Sequence, residues 1–220
     1  MRAAALVIPG RLVVPFAPDP ADALAIGRWL RGRYPACMLI GPRPESDALW
    51  DGWTHGHTPP LRFYDQRLYT IDTPTVGPRV PGFRRAVLSD WETIASFSGA
   101  MEQEDLGRDP RQVEAGLHGR VVRDRIERGA TWVIERDGEL VFTLNVGTIC
   151  EHGCQVGGTY VPPAHRGQGI ATEGMQAMVR HLLTESPMVT LHVNEANTPA
   201  VRAYERVGFA RSRPFRLVTV

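Results

Sequence analysis

The stretch Tyr160-Val161-Pro162-Pro163-Ala164-His165-Arg166-Gly167-Gln168-Gly169-Ile170-Ala171 reads as a strand end, a glycine-bearing loop and the first turn of a helix. Gly167 and Gly169 lack a Cβ, so a ligand can come close to the main chain there. A helix beginning near Gly169 aims unpaired N–H groups and the positive end of its dipole back into the loop. Arg166 adds forked donors suited to phosphate oxygens. Taken alone, the loop is an ordinary strand-to-helix turn or an anion site, and its surroundings must decide.

Upstream, the strand Cys154–Val161 carries Gly157-Gly158 in its middle, which weakens a strand unless it forms a bulge or lies against something. Strands are expected at Thr131–Glu135 and Leu140–Thr148, joined by a hairpin of the Asp-Gly type at Asp137-Gly138. Before them come a strand from Phe83 to Leu88, a capping box at Ser89-Asp90-Trp91-Glu92, and a helix from Asp109-Pro110 with Val113, Leu117, Val121, Val122 and Ile126 on one face. Downstream, a helix with Ala171, Met175, Met178 and Leu182 at helical spacing leads to a strand, Met188–Val193. A last helix from Thr198-Pro199 and a last strand, Phe209–Val220, complete the pattern.

The N-terminal part reads as strand, helix, strand, with apolar runs at Leu6–Val14 and Met38–Ile40 around a helix begun by Asp19-Pro20. Leu24, Trp29 and Leu30 supply its apolar side and Gly32 ends it. Pro44–Trp50 suggests a helical turn or two, and Leu61–Tyr64 with Arg67–Ile71 a hairpin around Asp65-Gln66. Asp51, His55 and His57 match metal-ligand spacing too loosely to count as a site. Thr73–Gly82 holds three prolines and two glycines, the composition of a linker. The expected division is a small α/β domain at residues 1–76, a linker at 77–82 and a larger domain at 83–220.

The 220 residues carry a net charge of +1, which gives no electrostatic reason to expect nucleic acid or an anionic membrane as partner. All 25 basic residues are arginines, so Schiff-base chemistry on lysine and a P-loop lysine are excluded. Pro9-Gly10 interrupts the N-terminal apolar run, no later run could span a bilayer, and a cytoplasmic location is expected. Cys37, Cys150 and Cys154 are too few for a disulfide framework. Cys150, His152 and Cys154 leave a four-coordinate metal site incomplete, and no metal is expected.

Residues 83–220 thus read β-α-α-β-β-β-α-β-α-β, and this order with the loop resembles the GCN5-related N-acetyltransferase family. The family's pyrophosphate-loop pattern falls on Arg166, Gly169 and Ala171, and a second block on Asn194, Asn197, Ala200, Tyr204 and Gly208-Phe209. The resemblance implies an α+β fold in three layers, with a mixed, mostly antiparallel sheet whose parallel fourth and fifth family strands splay apart. It implies acetyl-CoA as co-substrate, its pantetheine arm against the bulge at Gly157-Gly158 and main-chain groups near Tyr160 and Val161. Its pyrophosphate would lie on the loop from Arg166 through Gly167, Gln168, Gly169 and Ile170 to Ala171 and Thr172, with Asn197, Ala200 and Tyr204 completing the contacts. The acceptor would be a primary amine on a small molecule or peptide. A homodimer is left open.

Transfer to an amine needs a neutral nucleophile, a stabilised oxyanion and a proton for the leaving thiolate. The resemblance points to Tyr204 as that acid, the alternative being a core tyrosine on an apolar helical stripe. Full transfer from a phenol (pKa about 10) to a thiolate (about 8.5) is uphill by about 2 kcal/mol, so hydrogen-bond donation or a shifted pKa must help. Glu151 lies near where some members keep a basic carboxylate, though a hairpin tip is also where a carboxylate is simply solvated. Glu102, Glu104 and Asp105, expected between two helices, are either a wall of a pocket for a cationic amine or a solvated acidic loop. A non-catalytic acyl-CoA-binding module remains the alternative function.

Overall fold

The computed structural model describes residues 2–55, 60 and 62–220, with residues 113–115 described by backbone alone. In chain order come β1 (Ala4–Ile8), β2 (Leu12–Phe16), α1 (Pro20–Leu30), β3 (Met38–Pro42), α2 (Arg43–Thr54) and β4 (Arg62–Ile71). Then follow β5 (Phe83–Arg85), α3 (Trp91–Leu106), α4 (Pro110–Glu127), β6 (Thr131–Arg136), β7 (Glu139–Cys150), β8 (Gly153–Tyr160), α5 (Ile170–Leu182), β9 (Val189–Asn194), α6 (Thr198–Val207) and β10 (Ala210–Thr219). The α+β chain forms two compact units. One is Met1–Leu68 with His192–Ala196 and Arg211–Val220, the other Tyr69–Leu191 with Asn197–Ala210.

In the first unit the strands lie in the order β1-β2-β3-β10-β4, with β2 and β3 parallel and β1/β2 and β3/β10 antiparallel. The apolar run Leu6–Val14 is therefore two strands rather than one. Pro9 removes a ladder donor and Gly10 turns the chain at φ +68°. α1 starts as expected, with the Asp19 side chain accepting from the Ala21 N–H at 2.9 Å. Its buried stripe is Ala23, Gly27 and Leu30, whereas Trp29 is 53% exposed and sits beside Tyr34.

α2 is a full helix where a turn or two is expected. Burial of Leu49, Trp50 and Trp53 stabilises a segment whose proline, serine, aspartates and glycine are individually poor helix formers. It ends at His55 in the left-handed conformation, while His57 and Leu61 lie outside the described residues. β4 runs straight through Asp65-Gln66, where a hairpin is expected. Neither residue is a glycine; the Gln66 amide donates to Asn194 Oδ1 at 2.8 Å and the Asp65 carboxylate pairs with Arg216.

In the second unit β5-β6-β7-β8 form an antiparallel run, and β8 then pairs in parallel with β9. Val133 faces Thr143 and Ile134 faces Phe142 across β6/β7, so neighbouring positions look to opposite faces. On the Val133 face, Ile94 and Ala95 of α3 and Val122 and Ile126 of α4 build the core. On the Phe142 face lies α5, so close that a Cβ added at Gly174 would meet the Phe142 ring at 2.6 Å. Three layers result. Leu117, expected on the apolar face of α4, is 40% exposed, and the Val113 side chain lies outside the described ones.

The Pro/Gly-rich stretch with its expected linker at 77–82 lies inside this unit. Thr75 Oγ1 donates to Gln176 O at 3.1 Å and Arg180 Nη2 to Pro78 O at 2.9 Å, which pins the stretch to α5. The turn at Asp137-Gly138 forms as expected, with both residues at positive φ.

No Ser89–Glu92 capping box forms. A 3-10 turn at Leu88–Asp90 precedes α3, and the Asp90 carboxylate accepts from the Val87 N–H at 2.8 Å. Arg84 grips Asp90 at 2.7 and 3.1 Å and Glu135 at 2.6 Å. The Arg84 guanidinium holds the Asp90 carboxyl below the usual carboxylate range, against the opposing effect of burial. A depressed folded pKa contributes stability above the unfolded value, about 3.9, and loses it as pH falls through the folded one. Asp90→Asn should therefore cost about 1–2 kcal/mol at pH 7 and progressively less toward pH 3, read by urea unfolding across that range.

Candidate active site

The sequence places a bulge in β8 because two adjacent glycines there need a reason, and the structure has one. Asn145 faces Gly157 and Thr143 faces Tyr160, so two steps along β7 match three along β8. The surplus is accommodated at Gly158, with φ +61° and a position where a Cβ would lie 2.4 Å from Asn145 Nδ2. Asn145 is itself held, accepting from Thr131 Oγ1 at 2.7 Å. Among the described residues, β8 and β9 pair only through Cys154–Val189 and Gln155–Thr190, both before the bulge.

At the C-terminal end of β8 a cavity of about 440 Å³ opens, lined by Tyr160 and Val161, the loop at Arg166, Gly167 and Gly169, and the first turn of α5 at Ile170, Ala171 and Thr172. Gly167 and Gly169 take φ +77° and +81°, and a Cβ built on either meets nothing within 4 Å, so the loop is open toward incoming groups. Among the described residues no side chain caps α5, which leaves that task to a ligand or water. Gln168, expected to contact the same ligand, is exposed and is not among the lining residues.

The opposite wall is α6, which presents Asn197, Ala200 and Tyr204 to the cavity. Asn197 caps the helix, Oδ1 accepting from the Ala200 N–H at 3.2 Å. Tyr204, two turns on, is 8% exposed and packs edge-on to Phe209 at 6.1 Å. Burial raises the Tyr204 phenol above its usual pKa; the Thr159 hydroxyl partly opposes this and Asp105 adds to it. The phenol therefore stays protonated well into the alkaline range.

The third wall is the last turn of α3. Residues 101–105 are helical rather than an inter-helix loop, which puts Glu104 and Asp105 on the cavity, while Glu102 turns away toward Arg108 at 3.9 Å. Arg166 Nη2 donates to both Glu104 oxygens at 2.9 Å, Arg166 Nε donates to Val161 O at 2.9 Å, and the Tyr160 hydroxyl donates to Glu104 at 3.3 Å. Asn197 Nδ2 donates to Asp105 Oδ1 at 3.3 Å. The two neighbouring carboxylates thus meet the loop and α6 separately. Glu151 lies elsewhere, 85% exposed at the β7–β8 hairpin tip beside His152 at 3.5 Å.

Met101, Thr159, His165, Arg202 and Arg206 also line the cavity. Arg202 and Arg206 are four apart on α6, a spacing that puts both on one face and that sequence reading could have used. The others carry no local sequence signal. No group of three or more metal-ligating side chains occurs among the described residues, and no described helix is long and apolar enough to cross a membrane.

Residues 91–209 match the family model described as acetyltransferase (GNAT) family, and the chain belongs to that family. It is similar to the peptidyl-lysine N-acetyltransferase YjaB of Salmonella typhimurium, 35% identical over 91 residues that make up 40% of this chain and 56% of that protein. The chain thus spans about half the length of this curated relative. Among solved structures, an acetyltransferase from the GNAT family of Colwellia psychrerythraea superposes with a TM-score of 0.66 at 14% identity, covering 100% of this chain and 82% of that one. A GCN5-related N-acetyltransferase from Sphaerobacter thermophilus gives 0.61 at 22% identity, covering 98% and 75%. At these identities the likeness is one of fold.

Proposed function

We propose that the chain is an acetyl-CoA-dependent N-acetyltransferase acting on a cationic primary amine. One observation carries the reading: an open glycine loop at an uncapped helix start and a buried tyrosine phenol line the same cavity. The N–H groups at the start of α5 and the arginines of the cavity suit a pyrophosphate. The bulged end of β8 suits an extended arm lying along the strand, with main-chain N–H groups near Tyr160 and Val161 as oxyanion donors. Acetyl-CoA supplies an activated acyl group. Tyr204 donates a proton to the departing sulfur, and Asp105 gives the remaining wall its preference for a cation.

The relative's name, a peptidyl-lysine N-acetyltransferase, makes a lysine side chain the first acceptor to test. This chain has no lysine, so any Nε-acetyl group formed in the assay lies on the added acceptor and none on the enzyme. Acetyl-CoA at 100 times its Kd should stabilise the folded protein by about 2.7 kcal/mol, a rise in Tm of roughly 5 to 10 °C. Thiol should then be released from acetyl-CoA in step with acetylation of a lysine peptide. No Tm shift at millimolar acetyl-CoA would sink the donor assignment. A shift without thiol release over a panel of amines would make the protein an acyl-CoA-binding module.

A further inference from the structure

Acetylation of a cationic amine needs a group to remove its proton. Glu151 stands at a hairpin tip and is not among the residues that line the cavity. The cavity holds two carboxylates of its own, and their settings differ. Glu104 is neutralised by the two-pronged Arg166 contact and also accepts from Tyr160. Asp105 is half-buried and accepts from the Asn197 amide, at the start of the helix that also carries Tyr204.

Asn197 is fixed by its own chemistry. Its Oδ1 is taken by the helix cap to the Ala200 N–H, so the amide must turn Nδ2 toward Asp105 and cannot flip without losing both contacts. The same helix carries Tyr204 seven residues further on. The α6 cap therefore sets a carboxylate and a phenol in register along one cavity.

On the reading that this is an amine acetyltransferase, we propose that Asp105 is the general base for the acceptor amine, held in position by Asn197. Asp105 takes a proton from the ammonium, and the freed nitrogen lone pair forms the C–N bond at the thioester carbonyl. The C–S bond breaks with its electron pair on sulfur, which takes the Tyr204 proton. The phenolate recovers a proton from the new amide nitrogen, and Asp105 passes its own to water, so one proton is released per turnover.

Burial raises the Asp105 carboxyl above its usual pKa, with Glu104 adding to the rise and Asn197 and Arg166 opposing it. A higher pKa narrows the gap to an ammonium and makes the carboxylate a better base. It also predicts an acidic limb in kcat/KM, because Asp105 must be ionised to act. Arg166, Glu104, Asn197 and Tyr204 are among the groups that face it from the loop, α3 and α6, and His165, Arg202 and Arg206 line the same cavity.

The test compares Asp105→Asn and Asp105→Glu with the wild type, using acetyl-CoA and a lysine peptide. Asp105→Asn should lower kcat by about 100-fold or more and abolish the acidic limb, while Asp105→Glu retains the limb with partial activity. The Tm rise with acetyl-CoA should persist in both variants, which separates this assignment from the donor site. A higher KM with unchanged kcat and an intact limb would make Asp105 an ammonium anchor and overturn the proposal. A wild type that shows the Tm rise yet acetylates no amine would overturn the base together with the transferase reading.

Discussion

Replacing Tyr204 by phenylalanine should lower kcat by about 100-fold or more, equivalent to about 2.7 kcal/mol of transition-state stabilisation, while the Kd of acetyl-CoA stays near the wild-type value. The reason is the separation between what the ring does and what the hydroxyl does. The ring packs against Phe209 and belongs to the buried face of α6, and phenylalanine keeps that packing. The hydroxyl, beside Thr159 and within the field of Asp105, is what the substitution removes. Because the phenol's pKa is raised, full transfer of its proton to a free thiolate is less favourable than for an ordinary tyrosine. Its contribution must come as donation to a sulfur still leaving, while negative charge is developing on it. Tyr204→Phe should accordingly act on kcat more than on binding, and Tm should change little. An unchanged kcat would assign Tyr204 to the core alone.

The loop and α6 walls of the cavity were legible because their elements are local. Gly167, Gly169 and the α5 start fall within six residues, and Asn197 to Tyr204 lie on one helix and its cap, so the family resemblance could fall on short, local blocks. The α3 wall was not, because it depends on where α3 ends. Nothing in Met101-Glu102-Gln103-Glu104-Asp105 distinguishes a helix end from an acidic loop, and only Gly107, in the left-handed conformation, stops the helix late enough to set Glu104 and Asp105 on the cavity. Arg166 shows the same limit. Its type suggested a phosphate partner, yet its partner in the folded chain is a carboxylate 62 residues away. Such a pairing is a product of topology and leaves no trace in local sequence.

The first unit was read least well, and its helix crossing explains why and yields the strongest stability prediction. α1 and α2 meet at Gly27 and Gly52, where the backbones approach so closely that neither position has room for a methyl group. A Cβ at Gly27 would lie 2.1 Å from Leu49 O and 2.8 Å from Trp53 N, and one at Gly52 would lie 2.3 Å from Leu24 O. These obstacles are backbone atoms, so no side-chain rotation relieves them and the helices must move apart. That would open the packing of Leu30, Leu49, Trp50 and Trp53, which form the core of the unit. Gly27→Ala or Gly52→Ala should each cost about 3 kcal/mol, at the upper end for overpacking, and lower Tm by roughly 6 to 12 °C. The double variant should cost less than the sum, since one separation of the helices admits both methyl groups. Gly116→Ala, at an exposed position of α4 where an added Cβ meets nothing within 4 Å, should instead gain about 0.5–1 kcal/mol from helix propensity. Opposite signs from the same chemical change would show that the glycines of α1 and α2 are kept for contact and not for flexibility. Equal effects at all three positions would mean that α1 and α2 do not cross at Gly27 and Gly52.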